Sequence, residues 1–442
     1  MNTCDNIVAP ATGIGGAITI IRLSGPGVLE CARRIWRGRS RLGPENARRM
    51  LLGKVGGDPA LAVFMPGPAS YTGDDVVELH CHGGAAAASA ALRLATQAGC
   101  RNAEPGEFTF RAFMNGKLDL AQAEAVNDVI TAGSDLALQL AERQLRGALS
   151  RRLETLDREI GELRAECESH LDFPDEELDW ADDVPESIER AAEQIRSLLA
   201  TRDIGATLRD GVELVIAGRP NAGKSSLLNL LLGRDRAIVS AIPGTTRDTV
   251  EAAAVLRGLP VKLTDTAGVR ESGDPVEQLG IERSFRSIAA AGVTFWLLDA
   301  SVDDPAAEVE EMLRHPAPCR IAVWNKIDLV PDRELPEVPG GALRISVREE
   351  KGIEELLDAF VRQAIRSPHP EVPEVAVNAR AAAELKKAAE TLPEAAREFR
   401  EGEFELAAIR LREAQNAIGA ITGRTAEPDI LDHIFSRFCI GK

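Results

Sequence analysis

Residues Gly218 to Ser225 read Gly-Arg-Pro-Asn-Ala-Gly-Lys-Ser, which is the pattern of a phosphate-binding loop. The apolar run Val212 to Ala217 precedes this loop, and the helix-forming run Ser226 to Leu232 follows it. Such a loop requires a strand before it and a helix after it. Backbone N–H groups would then surround the phosphates, Lys224 would face the β and γ phosphates, and Ser225 would offer a hydroxyl to Mg²⁺. The pattern therefore predicts a nucleoside triphosphate site.

A second motif, Asn325-Lys326-Ile327-Asp328, distinguishes GTP from ATP and follows the apolar run Arg320 to Trp324. The Asp328 carboxylate can accept hydrogen bonds from the ring N–H and the exocyclic amine of guanine, which adenine does not offer. A buried carboxylate left without these donors costs roughly 1 to 3 kcal/mol. The sequence therefore predicts guanine as the base.

Two further motifs lie between these, in the order expected of a guanine-nucleotide switch. In Asp265-Thr266-Ala267-Gly268, Asp265 can hold Mg²⁺ and Gly268 can reach the γ-phosphate. In Gly244-Thr245-Thr246-Arg247-Asp248, Thr246 is the second hydroxyl ligand for Mg²⁺. The residues expected to bind the nucleotide and its cations are Asn221, Ala222, Gly223, Lys224, Ser225, Ser226, Ser240, Thr245, Thr246, Asp265, Thr266, Ala267, Gly268, Asn325, Lys326 and Asp328.

The group that orients the attacking water is not fixed by these motifs. Small GTPases place a glutamine directly after the third motif, but this chain has Val269 there, and an apolar side chain cannot orient water. Glu271 and Glu277 in the same segment both remain candidates, and a solvated acidic loop is the alternative for both. For charge neutralisation, a monovalent cation can be coordinated by Asn221 with the carbonyls and hydroxyl at Ser240, Ile242 and Thr245.

Composition narrows the class of protein. The 442 residues predict two to four domains, and 44% hydrophobic with 27% charged residues indicates a folded globular chain. We expect a cytoplasmic protein without membrane association, because no basic and apolar leader and no apolar run of bilayer length is present. The net charge of −17 disfavours nonspecific binding to nucleic acid, so a nucleic-acid substrate would require a restricted surface or a more basic partner.

The fold class we predict is a multidomain α/β protein in four sections. Residues 1–117 form an α+β domain, 118–208 the first part of a helical domain, 209–371 an inserted Ras-like, doubly wound P-loop GTPase domain, and 372–442 the second part of the helical domain. Helices are predicted from Asp135 to about Leu171, from Pro185 to about Leu208, and from Ala379 to about Arg400. Pro393 is expected to kink or restart the last of these.

Other strings lie outside the nucleotide motifs: Glu104-Pro105-Gly106-Glu107-Phe108, Lys117-Leu118-Asp119-Leu120-Ala121-Gln122-Ala123-Glu124, Phe173-Pro174-Asp175-Glu176-Glu177 and Phe438-Cys439-Ile440-Gly441-Lys442. Together with the phosphate loop and the Gly-Thr-Thr-Arg-Asp motif, they resemble the tRNA modification GTPase family MnmE, also called TrmE. The resemblance extends over essentially the whole chain.

This resemblance implies an enzyme that installs an aminomethyl or carboxymethylaminomethyl group at C5 of the wobble uridine of tRNA. It implies a flavoprotein partner, MnmG (GidA), and an N-terminal domain that forms a homodimer and looks like a folate-binding fold. The folate would be a tetrahydrofolate derivative carrying one carbon, either 5-formyl- or methylene-tetrahydrofolate. Matched to this sequence, the folate contacts fall on Arg22, Glu78, Lys117 and Lys442.

The resemblance also implies roles at the nucleotide. It implies K⁺ at Asn221, Ser240, Ile242 and Thr245, Mg²⁺ at Ser225 and Thr246, and a fifth guanine motif at Ser346. The family's catalytic glutamate falls on Glu277. The candidate catalytic residues are Glu277, Thr245, Arg247, Asp248 and Cys439, with a buried, inert thiol as the alternative for Cys439.

Two other classes of function share the nucleotide motifs. One is a GTP-dependent factor for ribosome assembly, which predicts neither folate binding nor a flavoprotein partner. The other is a nucleotide-stabilised scaffold, which predicts that replacing Glu277 leaves function intact.

Overall fold

The computed structural model describes residues 4–172, 183–234, 251–265, 292–365, 373–425 and 428–442. It divides into two compact units, each made of several chain segments. The first unit comprises Met1–Asn127, Gln144–Ile195 and Ala383–Lys442, and the second comprises Asp128–Arg143 and Arg196–Ala382. The predicted domain boundaries at 117, 208 and 371 remain a prediction.

The strands in chain order are β1 (Ile7–Pro10), β2 (Ile18–Ser24), β3 (Trp36–Gly38), β4 (Leu51–Val55), β5 (Asp58–Met65), β6 (Val76–His82), β7 (Arg101–Asn102), β8 (Val212–Gly218), β9 (Glu251–Leu256), β10 (Leu259–Asp265), β11 (Val293–Asp299), β12 (Arg320–Asn325) and β13 (Ala342–Arg344). The helices are α1 (Val28–Ile35), α2 (Ala85–Gln97), α3 (Glu107–Met114), α4 (Leu120–Thr131), α5 (Asp135–Leu145), α6 (Ala148–Asp172), α7 (Val184–Ala200), α8 (Arg202–Asp210), α9 (Lys224–Arg234), α10 (Pro305–Arg314), α11 (Ile353–Ile365), α12 (Ala379–Arg400), α13 (Phe404–Thr422) and α14 (Pro428–Phe435).

The first unit contains a seven-stranded sheet with the order β3-β4-β5-β6-β2-β1-β7. Its pairs are antiparallel except β1 with β7. Side chains alternate between the two faces of a strand, so Ile21 and Leu79 join α1 and α2 in a buried core on one face. Arg22 and Glu78 consequently lie on the opposite face.

The long helices of the first unit pack through α6 and α13. Gln415 on α13 accepts a hydrogen bond from Arg164 at 2.7 Å and donates one to the carbonyl of Asp157 at 3.0 Å. A side chain at Gly161 would come within 3.0 Å of the Gln415 amide, so a small residue allows this close approach. The two helices are therefore joined by polar contacts as well as by their apolar stripes.

The second unit contains a six-stranded sheet with the order β13-β12-β11-β8-β10-β9. All pairs are parallel except β9 with β10. Strand β8 faces two cores: Leu214 and Ile216 point into one, and Val215 and Ala217 into the other. A parallel sheet with buried side chains on both faces is a doubly wound α/β fold, which confirms the predicted fold class.

Two predicted helices are wrong as single elements. The helix expected from Asp135 to Leu171 is divided into α5 and α6 before Gly147, whose φ of +81° is unfavourable for other residues. The helix expected from Pro185 to Leu208 is divided into α7 and α8 at Thr201. By contrast, α12 continues through Pro393 without a break.

Within the described residues, no helix is both long enough and apolar enough to cross a bilayer.

Candidate guanine-nucleotide site and a second candidate site

The phosphate loop connects the end of β8 to the start of α9. Gly218 has a φ of +139°, and a Cβ there would lie 2.3 Å from the carbonyl oxygen of Leu297 on the neighbouring strand. Asn221 adopts a left-handed conformation with a φ of +64°. The loop therefore turns tightly under β11, and glycine is required at its first position.

Lys224 is positioned by the loop itself. Its Nζ donates to the carbonyl oxygens of Gly218 and Arg219, both at 2.8 Å. Because Lys224 is also the first residue of α9, its charge adds to the positive end of the helix dipole. Ser225 and Ser226 follow on the first turn of α9 and are exposed. This end of α9 is suited to bind phosphate.

Asn325 joins the phosphate loop to the base-recognition motif. It lies at the end of β12, buried, where its Nδ2 donates to the carbonyl of Ala222 at 2.8 Å and its Oδ1 accepts from the N–H of Val347 at 3.2 Å. A Cβ at Gly223 would lie 2.3 Å from the same Nδ2. These contacts hold the phosphate loop and the base-recognition motif together.

Asp328 is oriented by the segment that follows β13. Its Oδ1 accepts from the buried Ser346 hydroxyl at 2.7 Å, and Ser346 Oγ accepts from the N–H of Glu349 at 3.1 Å. Asp328 is half-buried. Its position at the carboxyl end of a parallel strand that is paired on both sides suits recognition of guanine N–H groups.

Lys326 has a partner that the motif did not predict. Its Nζ contacts Asp299 Oδ2 at 2.6 Å, at the carboxyl end of β11. Burial raises the pKa of the Asp299 carboxyl, but hydrogen bonds from Lys326 and Ser301 outweigh this effect and lower the pKa below its ordinary value. The signal in the sequence was a single acidic residue at the end of a fully buried apolar strand.

Several predicted nucleotide residues lie outside the described residues. The backbone of Asp265 ends β10 in parallel register with Ile216 of β8, which places it beside the phosphate loop, but its side chain is outside the described residues. The other predicted residues outside the described ranges are Ser240, Ile242, Thr245, Thr246, Arg247, Asp248, Thr266, Ala267, Gly268, Glu271 and Glu277.

A second cluster of side chains lies against the face of the first unit's sheet that is opposite α1 and α2. Arg22 and Glu78 are paired across β2 and β6, with Arg22 Nε 2.9 Å from Glu78 Oε1. The Arg22 guanidinium lies 5.4 Å from the centre of the Tyr71 ring and 5.8 Å from that of Phe108. We call these four side chains the Arg22 cluster. Sequence reasoning missed Tyr71 and the stacking role of Phe108.

The other two predicted folate residues have separate places. Lys442 contributes its carbonyl to the Phe108 N–H at 3.2 Å, and the preceding Gly441 carbonyl accepts from Arg22 at 3.4 Å. Lys117 is exposed and donates to the carbonyl of Pro68 at 3.1 Å. The C-terminal segment thus meets the Arg22 cluster through its backbone.

Cys439 lies on this C-terminal segment and is exposed. Phe438, one residue before it, is buried with Phe435 and Phe110 in an apolar cluster. The alternative of a buried thiol is therefore wrong, because the burial belongs to Phe438.

Helix α3 is fixed by a buried ion network. Glu107 and Arg111 are fully buried and lie 3.0 Å apart. Glu107 also pairs with Arg101, and Arg111 also pairs with Asp5. Arg101 and Asp5 pair with each other and close the network. Burial raises the pKa of the Glu107 carboxyl, but hydrogen bonds from Arg101, the Glu104 N–H and Arg111 lower it overall. Because Phe108 follows Glu107 on the same helix, the network also fixes the position of the Phe108 ring in the Arg22 cluster.

A doubly wound sheet that carries a phosphate loop after β8 and a guanine-recognition motif after β12 defines a P-loop GTPase. A family model described as the MnmE helical domain matches residues 120–439, and one described as the GTP-binding protein TrmE N-terminus matches residues 6–117. The chain therefore belongs to the MnmE family of tRNA modification GTPases, as its sequence motifs predicted, and it is a GTPase.

Full-length relatives agree with this assignment. The tRNA modification GTPase MnmE of Symbiobacterium thermophilum is 43% identical over 456 residues, covering 99% of both chains. That of Akkermansia muciniphila is 42% identical over 447 residues, covering 99% of this chain and 98% of the relative. Among solved structures, the G domain of the T. maritima FeoB iron transporter is 22% identical, covers 35% of this chain and 98% of its own, and gives a TM-score of 0.27. The fold assignment rests on strand order and not on that superposition.

Proposed function

We propose that this chain couples GTP hydrolysis to modification of C5 of the wobble uridine in tRNA. Together with a flavoprotein partner, MnmG (GidA), it adds an aminomethyl or carboxymethylaminomethyl group to this position. A reduced folate donates one carbon of the added group. The observation that carries this proposal is the presence of a second built site, the Arg22 cluster, in a chain that also holds the guanine-nucleotide site. The alternative, a ribosome-assembly GTPase, predicts no folate binding at this cluster.

At the nucleotide, the described residues bind and orient GTP. Lys224 and the N-terminal end of α9 attract the phosphates, while Asp328 accepts hydrogen bonds from the base. Exposed hydroxyls on the first turn of α9 are the hard oxygen donors that Mg²⁺ prefers, so Ser225 fits this ion, with Thr246 as the second ligand. Mg²⁺ would neutralise charge on the β and γ phosphates.

A monovalent cation fits the same loop. The left-handed backbone at Asn221 places an exposed amide on the rim of the phosphate loop, and amide oxygen suits K⁺. We propose that Asn221 holds K⁺ with Ser240, Ile242 and Thr245, and that Glu277 orients the attacking water. K⁺ would supply positive charge where other GTPases use an arginine. Thr245, Arg247 and Asp248 belong to the same proposed catalytic segment.

The Arg22 cluster has the chemistry of a folate site. A reduced folate combines a flat aminopyrimidine ring, rich in N–H donors, with carboxylates at its other end. Glu78 can accept from such donors, Arg22 can pair with a carboxylate, and the half-buried Tyr71 ring offers a flat apolar surface, behind which the buried Phe108 ring packs. Lys117 and Lys442 are the proposed additional cationic contacts. The folate would supply the one-carbon unit.

Cys439 is the proposed catalytic residue on the tRNA side of the reaction. Its thiol is exposed, and the chain returns to Arg22 two residues later through the Gly441 carbonyl. An exposed thiol beside a one-carbon donor can act as a nucleophile if it is deprotonated. This role is independent of the nucleotide site.

A homodimer is supported by exposed apolar side chains on the sheet face that also carries Arg22 and Glu78. Leu52 and Leu61 are cross-strand neighbours on β4 and β5 and are 74% and 40% exposed, while Ile18 on β2 is 61% exposed. Helices α1 and α2 pack on the opposite face. A second copy of the chain would bury these side chains.

The chain's net charge of −17 assigns much of tRNA binding to the partner. We place the complex in the cytoplasm, where GTP, folate and tRNA are available.

The first test measures GTP hydrolysis by the wild type and by Glu277→Ala in K⁺ and in Na⁺ buffers. We expect strong K⁺ stimulation in the wild type and loss of hydrolysis, but not of GTP binding, in the variant. Equal rates in both salts with an unaffected variant would remove both role assignments.

A second test separates the proposed function from an assembly GTPase. Binding of 5-formyltetrahydrofolate is measured by calorimetry, and the flavoprotein partner is sought by co-purification. Association with ribosomal particles in place of both would favour the assembly factor.

A further inference from the structure

Glu308 is a buried carboxylate that the sequence motifs did not include. It lies on the first turns of α10, which begins at Pro305 and is capped by the Asp304 carboxylate. Glu308 is only 2% exposed. A charged group at this depth requires partners for both of its oxygens.

One oxygen of Glu308 contacts the phosphate loop. Glu308 Oε1 lies 3.1 Å from Arg219 Nη1, and Arg219 Nη2 donates to the carbonyl of Ala307 at 3.0 Å. Arg219 is the second residue of the loop pattern, and its own carbonyl accepts from Lys224. The planar guanidinium therefore ties the loop backbone to α10 in one orientation.

The other oxygen of Glu308 is connected to the base-recognition motif through Asp299. Glu308 Oε2 accepts from the backbone N–H of Asp299 at 3.2 Å. The Asp299 side chain in turn contacts Lys326 at 2.6 Å and accepts from Ser301 N at 2.9 Å. Lys326 has a φ of +65°, so its backbone depends on this fixed environment.

We propose that Glu308 is a positioning residue for GTP, because it links the phosphate loop through Arg219 to the base-recognition motif through Asp299 and Lys326. It does not touch the nucleotide. The link between Asn325 and Ala222 joins the two loops directly, whereas Glu308 joins them through α10. The coupling concerns nucleotide binding alone and does not depend on the proposed folate or tRNA chemistry.

This coupling predicts an effect that a purely structural residue would not produce. Arg219 lies at the phosphate end of the site. A substitution there should alter recognition of the base only if its effect passes through Glu308 to the base-recognition motif. IDP lacks the exocyclic amine of GDP and therefore reports base recognition. The ratio of the Kd values for IDP and GDP is the readout.

The experiment uses the full-length chain with fluorescent GDP and IDP, and the variants Glu308→Gln, Arg219→Lys and their combination. We expect each single variant to raise the Kd for GDP about 10-fold and to lower the ratio of the Kd for IDP to the Kd for GDP about 5-fold. In the double variant, the Kd for GDP should rise no more than about 20-fold, because both substitutions break the same link. In hydrolysis, KM should rise while kcat stays near its original value. Glu310→Gln on the exposed side of α10 is the matched control and should stay within about 2-fold.

Three outcomes would overturn the proposal: a Glu308→Gln variant that binds like Glu310→Gln, single-variant losses that multiply in the double variant, or an unchanged IDP/GDP ratio. If Glu308→Gln does not fold, as judged by thermal unfolding without nucleotide, Arg219→Lys decides alone. A fall in its IDP/GDP ratio supports the coupling, and an unchanged ratio refutes it.

Discussion

The guanine-nucleotide site and the Arg22 cluster are built from the chain in opposite ways. At the phosphate loop, Lys224 contacts a carbonyl six positions earlier, and the phosphate loop and the base-recognition motif come at the ends of the parallel strands β8 and β12. In the Arg22 cluster, Arg22 contacts Glu78 from 56 positions away and Gly441 from 419 positions away. The guanine-nucleotide site consists of short contiguous sequence motifs that meet at one edge of a sheet. The other exists only after strand pairing and docking of the C-terminal segment.

This difference determines what substitutions should do. A nucleotide residue acts through its own loop, so its replacement should change binding while leaving the fold intact. A residue beneath the Arg22 cluster supports packing between distant segments, so its replacement should change stability as well.

The largest effect is expected for Asp328→Asn. Loss of the negative acceptor removes charge-assisted hydrogen bonds to guanine, and the Kd for GDP should rise on the order of 10²- to 10⁴-fold. Fluorescent nucleotide titration measures this change. XDP, which carries a carbonyl in place of the exocyclic amine, should bind the variant better than GDP does. A variant that retains GDP affinity would refute the assignment of Asp328 to the base.

Glu107→Gln should destabilise the first unit by about 3 kcal/mol, because it leaves Arg101 and Arg111 with Asp5 as the one remaining carboxylate of the network. Urea unfolding measures this loss, and the exposed Glu104→Gln control should stay within about 0.5 kcal/mol. GDP affinity should be unchanged in both variants. If it falls with stability in Glu107→Gln, the two regions are not independent in the way their construction indicates.

The same variant has a pH signature. The pKa of Glu107 in the folded protein lies below its ordinary value of 4.5. The ionised carboxylate therefore contributes its full stability above about pH 4.5, and this contribution is lost as the pH falls through the lowered pKa. The stability difference between the wild type and Glu107→Gln should narrow below pH 4.5. A constant difference would assign the loss to packing rather than to charge.

Arg22→Ala should weaken folate binding about 10- to 100-fold, since one charge-assisted hydrogen bond and its ring contacts are lost. Calorimetry with 5-formyltetrahydrofolate checks this value. Arg93→Ala on the exposed surface of α2 removes the same charge and serves as the control. Equal affinities in the two variants would exclude the Arg22 cluster as the folate site.

The smallest effect on stability is expected for Cys439→Ser, within about 0.5 kcal/mol, because the thiol is exposed. Modification of tRNA should nevertheless stop if the thiol is a nucleophile. Full activity in this variant would leave Cys439 without a chemical role.

The sequence predicted much of the nucleotide site because its information is local. Glycines at positive φ, a lysine at a helix start and an aspartate after a buried strand all leave recognisable strings. It did not predict Asp299, Glu308 or Tyr71, whose roles depend on which strands and helices become neighbours. Arg22 and Glu78 were predicted only through resemblance, because their pairing follows from the register of β2 and β6. The divided helices were missed because apolar spacing continues across Gly147 and Thr201.

Strand β8 has a consequence for how this family's sequences can vary in length. Its consecutive residues alternate between two apolar cores, and its last residue opens the phosphate loop. Inserting or deleting one residue between Val212 and Gly218 would exchange the side chains of both cores and shift the loop by one position. Aligned relatives should therefore show substitutions in this stretch but no insertion or deletion, because the length of the strand fixes the position of the phosphate loop.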